Sequence, residues 1–127
     1  MKHKYLTASL LLFLSSAVMA ADTAFDKGVS AFKKNDYGVA IEWFGKAHKQ
    51  GDQSAILAYN LAVSYYKLGR HAEARQYFIA AAKDDGLAGL SHYNLGLIAL
   101  KGGDESAARR SFQQSFKAAE DEKVKLL

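Results

Sequence analysis

Residues 58–81 read A-Y-N-L-A-V-S-Y-Y-K-L-G-R-H-A-E-A-R-Q-Y-F-I-A-A, running from Ala58 to Ala81, and they hold two amphipathic helical patterns. The break falls at Leu68-Gly69-Arg70-His71, because a glycine just past the last apolar residue ends one helix and lets the chain turn back. The landmarks of this stretch recur on both sides of it. Ala40, Ala74 and Ala108 lie 34 residues apart, and so do Phe44, Phe78 and Phe112. A small residue precedes each alanine by 12 positions, at Gly28, Ala62 and Gly96, and another follows by seven, at Ala47, Ala81 and Ser115.

A 34-residue period with these small residues and an aromatic four after the alanine resembles the tetratricopeptide repeat. The resemblance implies an all-α fold, a right-handed superhelical solenoid of three helix-turn-helix units. The expected divisions are 1–20 as a signal peptide, 21–54, 55–88 and 89–122 as the units, and 123–127 as a cap or the start of a further helix. Small residues at the contact positions let the two helices of a unit lie close, with the phenylalanine filling the space beneath.

Some positions depart from the family pattern. Ala24, Ala58 and His92 stand where a large aromatic is usual, and no proline closes any unit, since the chain has none. The first unit has Lys27 where the others have Leu61 and Leu95, and Asn35 where they have Gly69 and Gly103. Polar residues of this kind suit a terminal unit with one face in water.

The first 20 residues stand outside the period. Met1-Lys2-His3-Lys4 is a basic head, Leu6 to Met19 is largely apolar, and Val18-Met19-Ala20 offers small residues for a cut after Ala20. That composition is a secretory leader, too short for the ~20 apolar residues of a membrane span. The reading places the protein outside the cytoplasm, in the periplasm, touching membrane only through the cleaved leader. Two of the 17 Lys and Arg residues leave with it, so 15 face 13 acidic residues and the formal charge falls from +4 to +2. Such a balance gives no argument for nucleic acid. With no cysteine, neither disulfides nor thiolate chemistry can contribute, and the core must come from stacking.

Helices are expected from Asp22 or Thr23 to about Lys34, Tyr37 to Lys49, Ser54 to Leu68, His71 to Lys83, Leu87 to Lys101 and Glu105 to about Ala119. The inner face of the superhelix is lined by the first helix of each unit. It should present Phe25, Val29 and Phe32, then Ile56, Tyr59, Val63 and Tyr66, then Leu90, Tyr93, Leu97 and Leu100. Rings in such a trough bury much area at low entropy cost, which suits an extended peptide or a partner helix.

Two Tyr-Asn-Leu triplets put Asn60 and Asn94 on the same wall, where an amide can donate to and accept from a peptide unit. In peptide-binding members of the resembled family an asparagine here holds ligand backbone, which implies that role for Asn60 and Asn94. Lys33, Lys67 and Lys101 close the first helices, where positive charge complements the helix dipole and can form a basic rim. The two-carboxylate clamp of chaperone-tail binders is not reproduced, because Leu90 and Asn94 occupy third-unit places where that clamp is basic.

Chemistry is sparse. His48, His71 and His92 lack the short spacings of metal ligands, and no glycine-rich phosphate loop follows a strand. The expectation is therefore no enzyme, cofactor, metal or nucleic-acid partner. In their place stands an adaptor that binds a protein or peptide partner in the bacterial cell envelope. Two alternatives remain: a scaffold that self-associates as a homo-oligomer through its end faces, or the leading module of a larger outer-membrane protein. Val124, Leu126 and Leu127 are the residues that could cover the open end.

Overall fold

The computed structural model describes residues 22–126; the leader expected at residues 1–20, and Leu127, lie outside the described residues. Six helices follow one another with no strand among the described residues: α1 (Ala24–Lys33), α2 (Tyr37–Lys49), α3 (Ala55–Lys67), α4 (His71–Ala81), α5 (Asp85–Lys101) and α6 (Glu105–Lys125). Each odd helix packs on the next even one, and α2 on α3 and α4 on α5 join the pairs into a helical solenoid.

The turn inside each pair is built the same way three times. Asn35, Gly69 and Gly103 have φ of 60°, 75° and 79°, and the next residue donates its N–H back to Ala31, Tyr65 and Ala99 at 3.0, 2.9 and 2.9 Å. This left-handed stop costs glycine nothing and asparagine little, which is why Asn35 substitutes in the first unit. The following helix is then capped at once. Asp36 accepts from the Val39 N–H and Asp104 from the Ala107 N–H. Arg70 takes that place in the middle unit without a side-chain cap, pairing instead with Glu73 at 2.7 Å.

Three boundaries differ from the sequence expectation by two residues or more, the first being the end of α4 at Ala81 and not at Lys83. Helix α5 starts at Asp85 and not at Leu87, because Asp84 caps it and Gly86 is taken into its first turn. Helix α6 runs to Lys125, beyond the expected end near Ala119. No glycine or proline interrupts Glu120 to Lys125, and Lys125 Nζ is tied to Asp85 Oδ2 at 2.9 Å. Val124 and Leu126 do not cover the open end; they are 68% and 83% exposed.

The core forms where the 34-residue columns meet. Ala40, Ala74 and Ala108 are buried, and Phe44 and Phe78 are fully so. Phe44 lies in a cluster with Leu57 and Leu61 of the next pair, and Phe78 in one with Ala62, Ala74 and Ile98. The small residue 12 before each alanine faces its own pair's phenylalanine. A Cβ on Gly28 would stand 2.5 Å from the Phe44 ring, and one on Gly96 would press as hard on Phe112. The middle pair carries a buried Ala62 at that place.

Gly28→Ala should therefore destabilise the fold by about 1–3 kcal/mol, since the fully buried Phe44 has nowhere to retreat. Gly96→Ala should cost less, because Phe112 is only half-buried and can tilt outward. Urea-unfolding midpoints of the two variants check this; equal losses would contradict the difference in cover.

Candidate functional site

The first helices carry a longitudinal row of rings, one per pair, and each leans on the phenylalanine of its own second helix. Phe25 lies 5.7 Å from Phe44, Tyr59 5.7 Å from Phe78, and Tyr93 5.7 Å from Phe112, all tilted or edge-on. These geometries let the ring edges meet the negative faces and fix where each ring points. The small residue three positions after each ring makes room for the contact, so the site and the core share one set of constraints.

The rest of the wall is graded from buried to open along the chain. Phe25, Val29 and Phe32 are half-buried and pack against the first core cluster, with Phe32 edge-on to Tyr37 at 5.5 Å. Tyr59, Val63 and Tyr66 are likewise half-buried against the second cluster. Leu97 is half-buried, but Leu90, Tyr93 and Leu100 are about half exposed, at 54%, 50% and 49%. Ile56 adds an exposed apolar side chain on α3 at 45%. The apolar surface with least cover among the described wall residues is thus on α5.

Both asparagines are half-buried on this wall. The Asn94 amide donates to the Leu90 carbonyl on its own helix at 2.8 Å, which orients its oxygen and leaves that acceptor available. The Asn60 backbone carbonyl takes the Ser64 hydroxyl at 2.8 Å. Of the lysines at the first-helix ends, all exposed, Lys101 places its ammonium 5.3 Å from the Tyr66 ring centre, so it bridges α5 to α3. Lys33 and Lys67 lie in the last turns of α1 and α3, where positive charge complements the helix dipole.

A second apolar concavity lies at the end of the stack. Leu100, Ala108, Phe112 and Phe116, with Glu105, Arg109 and Gln113, line a hollow of about 680 Å³. Sequence reasoning singled out Leu100 but missed Phe116, although a signal existed. Phe116 stands in a column otherwise filled by His48 and Ala82, an aromatic where the period supplies none. On the opposite side of α6, charged residues such as Asp85, Lys117, Asp121 and Lys125 and the apolar Ala88, Ala118 and Val124 together line a mixed hollow. Among the described residues no group of three or more His, Cys, Asp or Glu side chains could hold a metal ion. None of the helices described there is long and apolar enough to cross a membrane.

Burial disturbs the titration of His92: desolvation holds its pKa below the ordinary 6.5, and its Nδ1 is buried with no partner among the described residues. A family model described as tetratricopeptide repeat matches residues 59–122, about half of the chain. The matched span holds most of the second unit and all of the third, including both Tyr-Asn-Leu triplets. No curated protein matches the chain.

The sign of the His92 effect is fixed by its depressed pKa. Folded protein resists the proton that the unfolded chain accepts near pH 6.5, so stability falls as pH drops below about 6.5 and is fully present above it. His92→Ala, the residue the other units carry at Ala24 and Ala58, should flatten that part of the curve. Thermal midpoints between pH 7.5 and pH 5 measure it; an unchanged slope in the variant would assign the dependence elsewhere.

Proposed function

The chain belongs to the tetratricopeptide repeat family, and from that premise we propose that it is a non-catalytic adaptor of the bacterial cell envelope. Repeats of this family generally mediate protein–protein interaction. On this reading the wall formed by α1, α3 and α5 receives a peptide or a helix of a partner protein. Export to the periplasm is supported by the composition of residues 1–20, and membrane contact is limited to that leader.

The observation that carries the reading is the aromatic row with its exposed end on α5. Tyr93 and Leu90 keep half their surface in water, Tyr93 tilted against Phe112, and Ile56 adds an exposed apolar side chain on α3. A ligand backbone laid along this wall meets the Asn94 oxygen, held in place by its bond to Leu90, and the Asn60 amide one unit earlier. Lys33, Lys67 and Lys101 then favour an acidic or C-terminal carboxylate flank. A short groove that must order its ligand binds at about micromolar affinity, roughly 8 kcal/mol.

Tyr93→Ala is the sharper test of the groove, because Tyr93 is half exposed and rests on the half-buried Phe112, whereas Tyr59 rests on the fully buried Phe78. Tyr93→Ala should weaken partner binding by about 1 kcal/mol or more, roughly fivefold, with the unfolding midpoint little changed. Site-specific crosslinking in intact cells supplies the partner: a photoreactive group at position 93 should capture an envelope protein, and one at the exposed Arg75 on α4 should not. Equal capture at both positions, or a Tyr93→Ala variant with wild-type affinity, would remove the wall as the docking surface. Cell fractionation checks the location independently; retention of the chain in the cytoplasm would contradict export.

A further inference from the structure

The stacking that seals the first two phenylalanines leaves the third without a covering pair among the described residues. Phe44 is covered with Leu57 and Leu61 of the next pair, and Phe78 with Ile98. Phe112 is only half-buried, and beside it Phe116 is 70% exposed, both opening into the hollow rimmed by Leu100. An aromatic surface of this kind is costly to leave in water.

The other end of the stack is not its complement. Lys27 holds the position that Leu61 and Leu95 fill in the later units, and its ammonium lies 4.5 Å from the Trp43 ring centre, with that of Lys46 at 5.0 Å. Adding a second copy head to tail would strip water from Lys27 and Lys46 against an aromatic hollow whose lining holds a single carboxylate, Glu105, beside the like-charged Arg109. That leaves pairing of like ends, which closes after two copies.

The pattern along α6 suits such a pairing. At 3.6 residues per turn, Glu105, Arg109, Phe112, Phe116, Ala119 and Lys123 fall on one narrow stripe. The stripe reaches Lys123 because α6 continues past Ala119, held by the Lys125–Asp85 pair. Two such helices laid antiparallel about an axis near residue 114 set Glu105 of one copy against Lys123 of the other, and Phe112 against Phe116. Arg109 then meets the small Ala119, with Glu120 beside it. Among the described residues none of Glu105, Arg109, Glu120 and Lys123 has an ion-pair partner within the chain. Acidic and basic ends of one exposed stripe thus match each other in reverse order, around a pair of phenylalanines.

We propose that the protein forms a two-fold homodimer through the α6 stripe of its third unit, antiparallel about residue 114. This goes beyond the adaptor reading and does not rest on it, since the paired stripe includes none of the proposed peptide-wall residues.

Sedimentation of the purified protein from about 1 μM to about 300 μM should show a monomer–dimer equilibrium. Glu105→Lys and Lys123→Glu should each weaken the dimer by about three- to tenfold, through like charges facing twice per dimer. The double exchange should restore it, and Phe116→Ser should abolish it. All three changed side chains are exposed, so helical content by circular dichroism should stay that of the wild type. A monomer at every concentration overturns the proposal. So does a dimer indifferent to the single exchanges, as expected if another surface forms the interface, or a double exchange that fails to recover affinity.

Discussion

The close approach of a phenylalanine on the second helix to a small residue on the first is the contact on which everything else depends. It fixes the spacing within a pair, as the lack of room for a Cβ on Gly28 makes plain. It also fixes what the next pair must do, since a ring seated there presents its far side outward. Phe44 and Phe78 are closed off by Leu57, Leu61 and Ile98, whereas Phe112 is not. Stability in such a chain is therefore local and shared between neighbours, with no central core holding all six helices at once.

Both candidate surfaces are consequences of that arrangement. The first-helix rings Phe25, Tyr59 and Tyr93 rest on the same phenylalanines, so the inner wall is shaped by the contact that builds the core. Its exposure rises toward α5 because each unit is partly covered by its successor and the third has none among the described residues. The same lack of cover creates the hollow at Phe112 and Phe116. One end of the stack is polar, with Lys27 and Lys46 over Trp43, and the other is aromatic, so the two ends meet different surroundings.

Much of the fold was legible because it repeats. The three left-handed turns at Asn35, Gly69 and Gly103, the buried alanine column and the bounds of α2 all follow from residues 34 apart. What escaped the period was set by residues outside the columns. Asp84-Asp85-Gly86 has the composition of a loop, yet an aspartate cap draws Gly86 into α5. The sequence expectation ends α6 near Ala119, but without a glycine like Gly51 nothing stops the helix there. The members of the inner row were readable at helical spacing, whereas their grading was not. How far Tyr93 stands in water compared with Tyr59 depends on which unit follows, a fact that no single helix contains.

Amide hydrogen exchange at low protein concentration tests the central claim most directly, because it reads the stability of each helix separately. If successive units seal one another, the slowest amides should lie in α3 and α4, the pair with a neighbour on both sides. Protection should fall toward α1 and through α6, and be lowest beyond Ala119. Uniform protection across all six helices, or amides in α6 as slow as those in α4, would contradict a stack stabilised unit by unit.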